Sequence, residues 1–535
     1  MNQKKAYGYP YNRISDHIVI GYELDPADKQ YLVENVNVQE LVTWNRFDLM
    51  AKWLYVDSKE KKLDSRWAKR IYEDNIRAFS AGTFKEPGNA SKDRFEAYLS
   101  TFDGLIGEIK KNGLSSDISL IPVDKNGEIL DGAHRVSIAA YYNIQTPILR
   151  LLNKNATYMY DYKYFRRFLM SETSMSYMAI QYAHLKPNCY MACFWPVADK
   201  SILYQAEVIL KEVGPIVYER DVYLSYRGLR NFMIQIYGHQ EWTGSVEDRY
   251  LGVNFKVDLC FKDKTPTKTY VFEADSFDKV VQAKERIRSL FGIENHSLHI
   301  SDNKAETDMM VDLLYNPNSL FFLNCADPYT YTSLWKKLNR FKSNIIQNGL
   351  DINRFIIDSS AVLEACGLRE ARDIDFLTDY RDDEITESQQ FWKSSEEFEK
   401  HDSQLEYYSV GVRDMLYIPE NYFCYNGFKF LSMEHLIEMK KKRHEKKDVD
   451  DIKLGRKYLK RSRQVPIRYR YGTQERIHMY QIGKGEYGRG PITYSEYLKE
   501  IIFNLFFFPI KFIHEQVYRI RSIYAKWKKG HMDIF

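Results

Sequence analysis

The period of hydrophobic and polar positions changes several times along the chain, and each change predicts an element. From about Phe95 to Arg150 a helix ends at Ile109-Lys110-Lys111-Asn112-Gly113-Leu114 and a strand covers Ile118 to Val123. Val123-Asp124-Lys125-Asn126-Gly127 then forms a hairpin-like turn, and Ile129-Leu130-Asp131-Gly132 leads into an apolar helix start, Ser137-Ile138-Ala139-Ala140. Between residues 155 and 335, alternation at Ile216-Val217-Tyr218 and Val222-Tyr223-Leu224 predicts strands, as do Val257 to Phe261 and Thr269 to Phe272. Gln205 to Val213 and Phe277 to Leu290 follow helical spacing instead. Further on, an apolar strand Phe355 to Ile357 runs through Ser359 and Ser360 into a helix, Ala361 to Cys366, and a second strand carries Asp373, Ile374 and Asp375. Asn426-Gly427 to Ser432 reads as a hairpin, and Met433 to Leu454 as one long helix.

At 535 residues the chain is too long for a single core, which predicts roughly three or four domains of α+β or α/β type. The expected segments are 1–154, 155–335, 336–465 and a tail, 466–535. A content of 44% hydrophobic and 28% charged residues excludes a disordered chain. The net charge of +4 is too small to argue for nucleic acid, although residues 440 to 470 hold 14 Lys and Arg against four acids. The first residues lack an apolar leader, so the chain is expected in the cytosol. Six cysteines, isolated except for the pair Cys189 and Cys193, fit reduced thiols better than a zinc site.

Chemistry-bearing residues concentrate at two places. In Ile129-Leu130-Asp131-Gly132-Ala133-His134-Arg135-Val136 a carboxylate, two hydrogen-bonding or cationic side chains and a helix N-terminus meet at one point. The first turn of a helix leaves N–H groups unpaired and carries partial positive charge, so an anion is stabilised there. Gly132 lets the backbone approach a ligand, and the guanidinium of Arg135 matches phosphate oxygens. Asp131 then either binds a metal carried by the phosphates or takes a proton from an attacking hydroxyl. The plainer alternative is a buried turn in which Asp131 caps the helix and Arg135 makes a surface ion pair.

The stretch around this loop resembles the ParB/sulfiredoxin-like fold, and the loop itself is most similar to the Asp-Gly-His-His-Arg loop of the free-serine kinases of that fold. Ala133 replaces the first His of that pattern, and it also stands where sulfiredoxin-type enzymes carry a cysteine. The helix-turn-helix of the ParB partition proteins is not found downstream. The resemblance implies an ATP-dependent kinase domain over 1–154, with nucleotide phosphates at Gly132, His134 and Arg135. It also implies Asp131 near the transferred phosphoryl and an acidic base on the preceding helix, at Asp93 or Glu96.

The second place is Phe355 to Leu377, where Asp373 and Asp375 share one face of a strand opposite a small-residue turn. Paired carboxylates so placed suit a magnesium ion bridging nucleotide phosphates; two solvated acids on a strand edge are the alternative. The pattern is similar to the nucleotidyltransferase superfamily, in which a small-residue pair precedes Asp-x-Asp by about a dozen residues. That similarity implies phosphate at Ser359 and Ser360 and Mg2+ at Asp373 and Asp375, with Asp358-Ser359 standing where the superfamily usually has glycine. Active members need a third carboxylate from a later strand, for which Glu406 and Asp414 are candidates. Short bacterial members also end in a helix similar to Lys440 to Ile452, which otherwise reads as a solvated basic face.

Two further stretches change the picture less. His299 with Asp302 reads either as a general base and ligand or as a strand His beside a helix cap, and the cap is favoured for Asp302 because Glu306 follows near the capping-box position. Lys284 and Arg288 are the nearby cations. Tyr497 to Ile513 is strongly apolar and is followed by Arg519, Arg521, Lys526, Lys528 and Lys529, which suits an interfacial helix on anionic headgroups, or a terminal helix packed on the protein. Taken together these features predict an ATP- and Mg2+-dependent phosphotransferase with an appended nucleotidyltransferase-like domain. Its expected partners are a nucleotide, a small-molecule or glycan acceptor and the inner membrane face, and its expected role is assembly of a phosphorylated cell-surface polysaccharide or its precursor. A ParB-like DNA-associated protein and a toxin- or antitoxin-type nucleotidyltransferase are the alternatives; nucleic acid is disfavoured for want of a recognition helix.

Overall fold

The computed structural model describes residues 6–27, 30–86, 91–115, 119–381, 384 and 397–503. Within them the chain builds three small sheets, each drawn from one stretch of sequence.

The first sheet has the order β1 (Ala6–Pro10), β2 (Gln30–Val36), β4 (Thr146–Leu151), β3 (Ile121–Asp124). β3 and β4 are parallel and almost wholly buried, which explains their continuous apolar runs. Alternation along β4 splits its side chains between two cores: Ile148 joins the main one, while Leu149 and Leu151 join a satellite with Tyr9, Ile18 and Val33. Between β3 and β4 lies helix α1 (Ala133–Tyr142), so the Asp131 turn sits at the point where the sheet hands over to a helix. The expected strand start at Ile118 lies outside the described residues.

The second sheet, in the order β6 (Ile216–Val222), β7 (Thr267–Glu273), β5 (Cys189–Phe194), β8 (Leu298–Ile300), is antiparallel throughout. The expected strand at Val257 to Phe261 is instead the end of a helix, Leu251–Cys260. Val253, Val257 and Cys260 are its buried face at helical spacing, and a short apolar run fits either period. Cys189 and Cys193 are both buried in β5, and burial pushes both thiols up, so the pair belongs to the core.

The third sheet has the order β11 (Phe398–Lys400), β10 (Ile374–Thr378), β9 (Phe355–Ile357), β13 (Phe428–Leu431), β12 (Tyr422–Tyr425). β9 passes directly into helix α2 (Ser359–Ala365). The β12–β13 hairpin turns at Asn426 and Gly427, both at positive φ (52° and 78°), as a two-residue turn between twisted strands requires. The helix expected over Met433 to Leu454 is two helices, α3 (Met433–Arg443) and α4 (Asp448–Leu459), separated at His444 with φ 56°. Basic residues crowd the last turn of α3 and acids the first turn of α4, so both dipoles favour a break there.

One contiguous set of buried hydrophobic side chains runs from Val36 to Tyr458 and reaches all three sheets. Polar contacts also cross between the N- and C-terminal stretches: the Asp64 amide donates to Asp414 Oδ1 at 2.8 Å, and Arg70 pairs with Glu420. Among the described residues no helix is long and apolar enough to cross a membrane. Of the apolar tail, only residues up to Phe503 lie within the described chain.

Candidate functional site

At the first predicted site, β3 and α1 bring Asp131, Gly132, His134 and Arg135 together. Gly132 takes φ 96°, and a Cβ there would fall 2.8 Å from Ile121 Cδ1 and 2.9 Å from Arg135 Nη2, so the glycine permits a close turn. The Asp131 carboxylate, 41% exposed, meets His17 Nε2 at 3.1 Å and Arg135 Nη2 at 3.2 Å. Burial pushes its pKa up, but Arg135 and the His17 hydrogen bond outweigh that and hold it below the usual range. The other arm of Arg135 donates to Ser119 Oγ and to the Leu120 carbonyl. The loop thus neutralises its own charge.

His134 is expected at the nucleotide phosphates as a hydrogen-bonding or cationic group. Its Nε2 lies 2.8 Å from the Tyr72 hydroxyl, and its ring meets Tyr72 and Phe102 edge-on. Burial first, and then Lys52 and Lys92, hold the imidazole well below its usual pKa, which favours the uncharged ring. The expected base is not assembled either. Exposed Asp93 pairs with Arg94 at 3.7 Å, Glu96 is exposed in the first turn of Phe95–Asn112, and no hydrogen bond or ion pair joins either to Asp131.

The second predicted site is built differently. Asp373 and Asp375 flank Ile374 at the start of β10, and β11 runs parallel beside it with Glu399 opposite Asp375. Asp373, Asp375 and Glu399 each place a carboxylate oxygen within 4.8 Å of the others. Three oxygen donors and no nitrogen form the donor set of a hard cation such as Mg2+. Burial, and next the charge of Asp358, push the Asp375 carboxyl up to about 6. Ser359 begins α2 in the left-handed region, with φ 54°, and its hydroxyl hydrogen-bonds to Asp375; Ser360 is half-buried in the same turn.

Behind this cluster Asp358 is completely buried. Its Oδ2 accepts a hydrogen bond from the Tyr408 hydroxyl and lies 3.1 Å from His401 Nδ1, while Oδ1 has no hydrogen-bond partner. Comparison of the chain with family models, with curated proteins and with solved structures finds no match.

The two acids expected as the third carboxylate lie elsewhere. Glu406 sits in the 3-10 turn Asp402–Tyr407, and Asp414 caps the Asp64 amide from Val412–Tyr417. Glu399 takes the place from a three-residue strand inside the charged run Glu397 to Asp402, where no alternation is long enough to read.

Lys440, Arg443, Asp448 and Asp451 are likewise not a solvated face. Lys440, 2% exposed, lies 3.2 Å from Asp448 and 2.8 Å from Asp451, Arg443 bonds Asp448, and Arg369 bonds Asp451 at 2.6 and 2.8 Å. Arg443 also reaches Gln404 Oε1 at 3.4 Å, which ties α3 to the turn after His401. This network buttresses the site.

In the second sheet, His299 is a satisfied core residue, with Nδ1 3.0 Å from the Tyr237 hydroxyl and Nε2 2.9 Å from Glu306. The helix cap expected of Asp302 is Asn303, which accepts from the Glu306 amide at 2.9 Å; Asp302 pairs with Lys284 instead.

Proposed function

We propose that the chain is a Mg2+-dependent nucleotidyltransferase, moving the nucleotidyl group of ATP to a hydroxyl of a small-molecule or glycan acceptor, with pyrophosphate leaving and the hydroxyl proton passing to solvent. The observation that carries this reading is the convergence of Asp373, Asp375 and Glu399 on one point. Mg2+ held there would supply the positive charge that stabilises the phosphate charge developing in the transfer. The residues themselves do three things. Asp373 and Asp375 hold the cation. Glu399, exposed at the sheet edge, completes their oxygen donor set. Ser360 and the backbone at Ser359 present the turn to the phosphates, with the Ser359 hydroxyl fixed by Asp375. The left-handed backbone at Ser359 is the conformation that a glycine would hold without strain, so the departure from the superfamily pattern lies in the side chain.

Transfer of α-labelled ATP to a panel of hydroxyl acceptors in Mg2+ tests this, comparing wild type with Asp373→Asn and Glu399→Gln. Label transfer lost in both variants supports the reading; transfer unchanged in Glu399→Gln sinks it.

A second reading keeps an ATP-dependent phosphotransferase at Asp131, favoured by the close turn at Gly132 and the partly exposed carboxylate beside Arg135. Here a phosphate would have to displace Asp131 from Arg135. Transfer of the γ-label, and its loss in Asp131→Asn, is the distinguishing measurement.

A further inference from the structure

We propose that Asp375 bridges two divalent cations, the second held by Asp358 and His401 and drawn from the transition metals, Mn2+ or Zn2+, in preference to Mg2+. Asp358, Asp375 and His401 each offer one ligand atom within 4.8 Å of the others, and all three are buried. Asp375 therefore belongs to two candidate ligand sets at once, one with Asp373 and Glu399 and one with Asp358 and His401. The proposal shares Asp375 with the transferase reading and rests on that reading only there.

Three observations point to a cation at the inner set. Asp358 is fully buried, yet its Oδ1 has no hydrogen-bond partner, an arrangement that costs free energy unless a ligand completes it. Asp358 and Asp375 are neighbouring buried carboxylates, and the His401 ring, 3.1 Å from Asp358, can meet only one of their two charges. Arg443 carries charge near His401 but is committed to Asp448 and Gln404. The geometry is also held in place. The Asp358 amide donates to the Asp375 carbonyl at 3.0 Å, and the His401 amide to the Phe376 carbonyl at 2.9 Å, so the backbones of β9, β10 and the end of β11 fix the three side chains relative to each other. Tyr408 donates to Asp358 Oδ2, orienting the carboxylate as groups around metal ligands commonly do.

The donor chemistry selects the ion. The outer set is all oxygen and suits Mg2+; the inner one includes an imidazole, which Mg2+ rarely accepts and Mn2+ and Zn2+ bind readily. The result is a pair of unlike sites joined through one carboxylate.

The test uses the full chain, stripped with a chelator and titrated with Mn2+, with bound metal counted by elemental analysis and followed by electron paramagnetic resonance. Wild type is expected to bind two Mn2+ per chain, with the six-line signal weakened at the second equivalent by coupling across the bridge. Excess Mg2+ is expected to displace one ion and leave the other. His401→Gln and Glu399→Gln should each retain one ion, and Asp375→Asn none. A wild type that binds fewer than two ions, or a His401→Gln chain that still binds two, overturns the proposal. His401 also packs in the core, so Tyr408→Phe is the control: it removes a hydrogen bond from Asp358 and keeps every ligand, and it should retain two ions. Loss of an ion in Tyr408→Phe would trace the effect to packing and overturn the assignment. The two readings fail separately: two bound ions with no α-phosphoryl transfer would sink the transferase, and one ion with transfer intact would sink the second site.

Discussion

The turn at Asp131 and the cluster at Asp375 both place a carboxylate where a sheet passes into a helix, yet they balance charge in opposite ways. At Asp131 the negative charge is met by Arg135 and hydrogen-bonded by His17, and Arg135 is itself held by Ser119 and Leu120. At Asp375 three further carboxylates crowd in, one of them wholly buried with an oxygen unpaired. A motif already neutralised by its neighbours offers a cation little, whereas one carrying surplus negative charge could hold one. This difference ranks the two sites, and it separates a resemblance of residues from a capacity to bind.

The sharpest way to break the comparison is to remove the shared carboxylate. Asp375→Asn should lower α-phosphoryl transfer more than about a hundredfold, since a bound metal stabilises the transition state by several kcal/mol and each decade of rate is about 1.36 kcal/mol. Steady-state rates with labelled ATP would show it, and a loss below about tenfold would mean that the cluster is not the reacting centre.

The buttress behind the cluster gives the next effect. Lys440→Met leaves Asp448 and Asp451 short of one buried partner, which should cost about 3 kcal/mol of unfolding free energy. Urea denaturation measures this; a change under about 1 kcal/mol would show that Arg443 and Arg369 alone neutralise the two acids.

Asp375→Asn should also have an opposite effect on stability. The folded carboxyl is pushed up to about 6 from its ordinary 3.8, so an ionised Asp375 opposes folding, and that cost is present above about pH 6 and absent below about pH 4, where the group is protonated in both states. Metal-free Asp375→Asn should therefore be more stable than wild type at pH 7, on the order of 1–3 kcal/mol, and equal to it near pH 4. Mg2+ should then stabilise wild type alone. Melting curves with and without Mg2+ at the two pH values check this, and equal stability at pH 7 would contradict the crowding of charge.

The mixed α/β character was legible in the periods of the chain, as were β9 to β10 with their two aspartates and the Asn426-Gly427 hairpin. Elsewhere the reading stopped at identifiable physical limits. Val257 to Phe261 is too short to distinguish a strand from a buried helix face. His444 breaks a helix through a positive φ that a polar, basic stretch does not announce. Glu399 and His401 become site residues only through the pairing of β10 with β11, a contact absent from local sequence. Asp358 stands in the sequence as a departure from a glycine pattern, and its importance comes from complete burial, which one sequence does not display.

The smallest effect concerns the other half of the comparison. Asp131→Asn removes a charge that is 41% exposed and shared between two partners, so solvent screening should limit the loss of stability to roughly 1 kcal/mol or less. Arg135 keeps Ser119 and Leu120 in this variant, and the turn at Gly132 does not depend on the carboxylate. With the loop otherwise complete, α-label transfer should stay within about threefold of wild type, a change of less than about 0.7 kcal/mol in the barrier. The γ-label is the more searching readout. If phosphoryl transfer is present in wild type and falls more than about a hundredfold in Asp131→Asn, then the ion pair with Arg135 opens when nucleotide binds. Self-neutralisation would then be a resting state of this turn, and the chain would carry two reacting centres.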